Sequence, residues 1–190
     1  MPRVTHVKKA RKARPEHSIE VGDSYYHWSF AFGPTCYSKE YPKPWELTQS
    51  AFLQSLYQLQ DRISNLTAES IDDLQSQVEE ITSEIENLGS ECQDSLDNMP
   101  EQLQDAPGAG ETLTTRIEAM ETWGSDLEGV DISADEDTIN EEAEMDIGDA
   151  KDFDTKKAYQ EALEEAKAEK LQEHLQEIVG EIQGFEPDIY

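Results

Sequence analysis

Cysteine is scarce in this 190-residue chain. Cys36 and Cys92 are the only two, and they lie in segments of unlike composition. Neither a disulfide framework nor a cysteine-based metal site follows from them. Long apolar runs are missing as well: none approaches the roughly 18 residues of a membrane span, so no membrane association is expected. The N-terminus is basic but lacks an apolar core, and a secretory signal is not expected there. A reducing cytoplasm is the default. The hydrophobic share of 36% is below that of ordinary globular domains, which argues against one large core and for narrow helical seams. Signatures of catalysis are lacking too: there is no glycine-rich phosphate loop, no nucleophile elbow and no His-Glu-x-x-His pair. Neither an enzyme activity nor a cofactor is expected.

Basic residues are few, and they are concentrated. Residues 1–15 hold Arg3, Lys8, Lys9, Arg11, Lys12 and Arg14 and no acid. Residues 1–46 carry eight basic and five acidic side chains, a balance of +3; the remaining 144 carry seven and 38, a balance of −31. A chain polarised in this way has a head attracted to polyanions and a body repelled by them. Much of the acid also serves simply to keep helices solvated.

Residues 1–17 read as a basic flexible arm. Residues 18–66 read as an aromatic β-hairpin plus a first helix. Tyr26, Trp28, Phe30 and Phe32 fall at spacing two, the period of one strand face. Gly33-Pro34-Thr35 signals a turn, and Tyr37, Lys39 and Tyr41 share a face of the returning strand. Pro42 and Pro44 close it. Phe52, Leu56, Leu59, Ile63 and Leu66 then repeat at 4, 3, 4 and 3, an amphipathic helix.

Residues 67–105 form an acidic coiled-coil helix, capped by Ser70 with Asp73 three residues on. Ile71, Leu74, Val78, Ile81, Ile85 and Leu88 repeat at 3 and 4, a seam suited to self-association or a helical hairpin. Pro100 starts a fresh turn. Residues 106–130 comprise a linker, Ala106-Pro107-Gly108-Ala109-Gly110, and a third helix from about Glu111 to Leu127. Residues 131–154 contain eleven Asp/Glu against one Lys, and their composition predicts disorder. Residues 155–190 are a C-terminal helix, capped by Asp154 and ended by Gly184, and a tail.

Two metal readings fail on spacing. His6, His17, His27 and Cys36 lack the close pairs of zinc sites. Asp131, Ser133, Asp135, Asp137, Ile139 and Glu142 match a calcium-loop template, but Glu136 stands where the sharp turn needs Gly. No metal is expected.

The basic, aromatic head is the best candidate site. Phosphates need Lys/Arg, and aromatic faces stack on bases. A two-stranded hairpin is not stable alone in water, so most of its rings are expected to be buried against Phe52, Leu53 and Leu56. That leaves Arg3, Lys8, Lys9, Arg11, Lys12, Arg14, Lys39, Tyr41 and Lys43 to contact nucleic acid.

Several segments resemble a family of uncharacterised tailed-phage and prophage proteins. Gly22-Asp23-Ser24-Tyr25-Tyr26-His27-Trp28-Ser29-Phe30 is similar to its GESYYWW-x-F. Tyr37-Ser38-Lys39 is similar to its YSK, and Leu47-Thr48-Gln49-Ser50-Ala51-Phe52-Leu53 to its LTQSEFL. The likeness continues through Glu91-Cys92-Gln93-Asp94, Leu96-Asp97-Asn98-Met99-Pro100-Glu101 and Asp126-Leu127-Glu128-Gly129-Val130-Asp131. The hairpin turn departs from it: Gly33-Pro34-Thr35-Cys36 stands where the family has a basic turn. The resemblance implies a phage-encoded protein acting in the cytoplasm of a bacterial host.

Together these readings predict a mainly α fold, with a small N-terminal β-hairpin followed by antiparallel helices in a coiled-coil or open-bundle arrangement. The expected partner is nucleic acid or a nucleic-acid-processing protein, with a possible homo-oligomer. Two other readings fit the acidic body: a DNA mimic that occupies the basic cleft of a host defence or replication enzyme, and a virion or scaffolding component.

Overall fold

The computed structural model describes residues 1–104, 108–133, 136–148 and 153–189. The chain is mainly α and divides into two compact units, residues 1–58 and 59–190.

The first unit is built on a three-stranded antiparallel sheet in the order β1-β2-β3, with β1 at Thr5–Val7, β2 at Tyr25–Ser29 and β3 at Thr35–Ser38. Val7 pairs with Tyr25, and His27 lies between Thr5 and Tyr37. The β1–β2 pairing runs on past the strand ends. Ala10 N–H donates to Asp23 O (2.7 Å), Gly22 N–H to Ala10 O (2.9 Å), and Arg14 N–H to Ile19 O (2.7 Å). Residues 5–29 therefore make one long hairpin with a single 3-10 turn at Pro15–His17 as its tip.

This corrects the reading of residues 1–17 as a flexible arm. Their Lys/Arg content keeps the side chains at the surface, but it places no limit on the backbone. Backbone pairing and two buried anchors, Ala10 and Ile19, hold the segment in place. A third strand also supplies what a two-stranded hairpin lacks.

The period-two aromatic run is shorter than predicted. Phe30 and Phe32 lie beyond β2, and Phe32 is fully exposed (104%). Lys39 and Tyr41 likewise lie beyond β3. Trp28 is buried (4%), and its indole N–H donates to Glu46 O at 3.1 Å. Glu46 sits in a 3-10 turn, Pro44–Leu47, where its carboxylate accepts the Lys43 N–H at 2.8 Å. Leu47, Phe52 and Leu56 are buried in the same unit.

Helix α1, Ala51–Ser64, carries four residues of the predicted stripe, Phe52, Leu56, Leu59 and Ile63; Leu66 lies two residues beyond it, and all five are buried. Phe52 and Leu56 fall in the first unit, Leu59, Ile63 and Leu66 in the second.

In the second unit, α2 (Ile71–Asp97) opens as predicted: Ser70 Oγ accepts the Asp73 N–H at 3.1 Å. A short α3, Glu101–Gln104, follows Pro100, and α4 spans Ala109–Glu128. Ala109 and Gly110 thus belong to a helix rather than to a linker, while Ala106 and Pro107 lie outside the described residues. Helices α2 and α4 run antiparallel. Gly89 meets Met120, where a Cβ would stand 3.2 Å from the Met120 Cβ, and Gly124 meets Ile85 one to two turns along. Small residues at the crossing let the backbones approach closely.

The α2 seam is consequently covered by the chain's own α4. Leu74, Val78, Ile81, Ile85 and Leu88 are buried without a second copy, as are Met120, Trp123 and Leu127 opposite them. The reading of this seam as a self-association surface is corrected accordingly, and the helical-hairpin use of the same periodicity applies. Ile71, at the start of the seam, stands apart: it lines a cleft of about 570 Å³ with Ile139 and Leu171. Cys92 ends the seam, and burial pushes its thiol pKa up.

The acidic stretch departs most from expectation. Residues Glu136–Ile147 form helix α5, antiparallel to α6 (Lys156–Gln183). Residues 134–135 and 149–152 of the predicted disordered segment lie outside the described residues. Ile139, Ala143 and Ile147 recur every four residues, enough for one apolar edge, and Ala143 is fully buried. Lys170 bonds Asp146 (2.8 Å) and Glu173 (3.2 Å), offsetting repulsion between the two helices. These carboxylates hold the Lys170 ammonium well above its ordinary pKa. Helix α6 is capped by Thr155, whose Oγ1 accepts the Ala158 N–H at 3.1 Å, rather than by Asp154. At its other end the Gln183 amide donates to Ser64 O and Leu66 O, both at 3.3 Å.

Candidate nucleic-acid interface

Strand pleating sorts the side chains of the sheet into two faces. Trp28 lies on the same face as His6, Tyr26, Cys36 and Ser38. Tyr25, His27 and Tyr37 lie on the other with Thr5 and Val7, as the register requires. On that face only Trp28 is buried; Tyr26, Cys36 and Ser38 are partly exposed and His6 is exposed.

The opposite face carries a group of rings. Tyr25–His27, Tyr25–Tyr37 and His27–Tyr37 have centroids 6.2, 6.1 and 6.1 Å apart. His17, at the hairpin tip, leans on Tyr37 at 5.1 Å, and the Arg14 guanidinium lies 3.9 Å from the Tyr37 centroid. The three strand rings are partly exposed, and His17 is exposed. A cleft of about 1220 Å³ opens beside β3, bordered by Arg14, His17, Thr35, Tyr37, Gln49 and Gln54.

The predicted contact residues divide into three groups. Arg3, Lys8, Lys9, Arg11 and Lys12 are exposed around the first strand and the hairpin arm. Arg14 is partly buried over Tyr37. Lys39 is bonded to Asp23 at 2.8 Å, and Lys43 lies 5.4 Å from the Trp45 ring. Tyr41 is exposed (63%) and meets Tyr26 edge-on at 5.4 Å; His6 stacks on the same Tyr26 at 4.6 Å. Lys39, with help from the Glu20 N–H, holds the Asp23 carboxyl below its ordinary pKa. Lys39 is thus tied to the hairpin by an ion pair, while its side chain stays about half exposed (49%).

The ring group of Tyr25, His27, Tyr37 and His17 was not legible as a site. The spacing-two signal pointed to the even-numbered face, while Tyr25 and His27 belong to the odd one. Only the β2–β3 register brings Tyr37 beside them.

Among the described residues, no three His, Cys, Asp or Glu side chains converge as a cation-holding group. His6 belongs to the Tyr26 stack, whereas His17 and His27 lie against Tyr37. Asp137, Ile139 and Glu142 of the calcium template are helical, and Asp135 lies outside the described residues. Within the described residues no helix is long and apolar enough to cross a membrane.

Charge follows the division into units. Residues 1–58 carry eight Lys/Arg and five Asp/Glu, or +3; residues 59–190 carry seven and 38, or −31. Fold and site together define a mainly α chain with a cationic, ring-bearing sheet module. Searches of family models, curated proteins and solved structures give no match to it.

Proposed function

We propose that this chain is a non-enzymatic accessory protein, phage-encoded and acting in the cytoplasm of a bacterial host, whose basic aromatic head binds nucleic acid or a nucleic-acid-processing enzyme. One observation carries the reading: Lys8, Lys9, Arg11 and Lys12 are exposed on an ordered hairpin that is held by backbone pairing. Cations fixed on a rigid scaffold meet phosphates with less loss of chain entropy than a free arm would. The phage origin rests on the sequence resemblance.

Fluorescence anisotropy of the full-length chain with labelled nucleic acid at two salt concentrations tests this reading. Binding is expected to weaken steeply with salt. Changing Lys8, Lys9, Arg11 and Lys12 together to Ala is expected to reduce the log–log salt slope on duplex DNA by roughly 3–4, at about 0.9 per phosphate contact. Absence of binding to any nucleic acid at low salt would overturn direct nucleic-acid binding and leave only the docking of a nucleic-acid-processing enzyme.

A second reading rests on the other unit. That unit carries 38 acidic against seven basic side chains, and three of those cations, Arg62, Lys157 and Lys170, are already paired with its own carboxylates. Such a surface suits a DNA mimic. Capture of a basic host enzyme by the full chain in nuclease-treated lysate, unaffected by the four-Ala change, would favour it over the first.

A further inference from the structure

We infer that the nucleic acid taken by the head is single-stranded, and that its bases stack on the sheet face formed by Tyr25, His27 and Tyr37. This rests on the nucleic-acid reading above and adds a strand type and a set of contact residues to it.

A sheet face that meets solvent ordinarily carries polar groups. Here the face opposite Trp28 carries three rings at mutual distances of about 6 Å, joined by His17 at the tip. Each strand ring keeps part of its surface open to solvent. Exposed rings on a sheet are suited to unstacked bases, because every base has a π-face and none need be read by hydrogen bonding. The bases of a duplex are stacked on one another and present only their edges in the grooves, where a flat ring group finds nothing to stack on.

Cations are positioned to follow the backbone of such a strand. Val7 lies directly across from Tyr25, so Lys8 and Lys9 continue from that end of the face. The arm then runs through Arg11 and Lys12 to Arg14, whose guanidinium covers Tyr37. The outer side of that planar cation is a further stacking surface. The cleft beside β3 provides room next to Tyr37 and His17. Glu16 and Glu46 also border it and disfavour phosphate there. The phosphates are therefore assigned to the Lys8–Arg14 side and the bases to the rings. Phe32, fully exposed at the β2–β3 turn, adds one more ring to the same hairpin.

The test compares labelled oligodeoxythymidine, oligouridine and a GC-rich duplex in anisotropy titrations of the full-length chain. The single strands are expected to bind at least about tenfold more tightly than the duplex at matched salt. Tyr25→Ala with Tyr37→Ala is expected to lower single-strand affinity by about tenfold or more. The salt slope should be unchanged, because no phosphate contact is lost. Tyr37→Phe, which keeps the ring, should bind as the parent does. Circular dichroism establishes folding; if the double variant unfolds the head, His17→Ala with Phe32→Ala, both at exposed positions, carries the same expectation. Equal affinity for duplex and single strand, or ring variants that bind normally, would overturn the stacking inference and leave the head a duplex or general phosphate binder. Failure of every probe to bind at low salt would overturn both the inference and the reading beneath it.

Discussion

The two units of this chain are held together by different means, although they share a helix. The first has few buried apolar residues and relies on antiparallel backbone pairing over a long hairpin. The second relies on repeated apolar seams: α2 against α4, and α5 along α6. The difference explains where charge can accumulate. A helix with a narrow seam tolerates acid on most of its circumference, so the body reaches −31 without losing its core. The hairpin places its side chains outward while its backbone supplies the order, so it can hold clustered Lys and Arg.

The largest expected effect falls on the body. Ile81 is 1% exposed in the α2–α4 interface. Ile81→Asp removes a buried aliphatic group and leaves an unpaired charge, at an expected cost of about 4–5 kcal/mol. Thermal melts followed by helical circular dichroism would measure it. Light scattering of the parent chain adds a second readout: since the seam is satisfied internally, a monomer mass is expected. A dimer that Ile81→Asp dissociates would show instead that the seam works between copies.

A smaller effect of opposite sign sharpens the picture of the same interface. The Thr82 hydroxyl is buried (6% residue exposure) and has no hydrogen-bond partner among the described residues. Thr82→Val keeps the shape and removes the unsatisfied oxygen, and stability is expected to rise by about 1 kcal/mol. Denaturant midpoints of the two proteins would check this, and a destabilised variant would mean that the hydroxyl is satisfied in solution.

The smallest effect belongs to the head and depends on pH. The Asp23 carboxyl is held below its ordinary pKa by Lys39. A carboxyl depressed in the folded state stabilises that state above its unfolded pKa, and the contribution is lost as pH falls through the folded value. Head stability should therefore decline below about pH 4 through this group. Asp23→Asn should flatten that part of the profile and leave the body's acid response unchanged. Tyrosine near-ultraviolet dichroism suits the head, and far-ultraviolet dichroism the body. An acid limb identical in parent and Asp23→Asn would rule the ion pair out as its source.

Periodicity was legible wherever one element alone carried the signal. The stripe of α1, the seam of α2, the Ser70 cap and the end of α6 at Gly184 were all readable, because 3.6-residue spacing and capping chemistry are local. The helix at 136–147 was hidden by composition. Eleven acids in 24 residues predict disorder for an isolated segment, whereas the ion pair to Lys170 and the burial of Ala143 arise only when α6 lies alongside. The ring group was hidden for a related reason, since His17 and Tyr37 are separated in sequence from Tyr25 and His27 and reach them only through the fold of the hairpin and the strand register.

The sequence by itself determined the mainly α class, the concentration of cations in the first fifteen residues, and which residues of α1 and α2 turn inward. Spacing and side-chain solvation act within a few residues, and no tertiary partner is needed to read them. Only the tertiary structure decided that the basic segment is held by backbone pairing, that the α2 seam is covered by the same chain, and that Tyr25, His27 and Tyr37 gather on one face. Each depends on which distant segment supplies the missing hydrogen bond or apolar surface. A one-residue slip of β3 against β2 would bring Tyr37 onto the face of Trp28, away from Tyr25 and His27. Burial of the indole, with its bond to Glu46, fixes which way β2 faces, and the β2–β3 register then sets Tyr37 beside Tyr25 and His27.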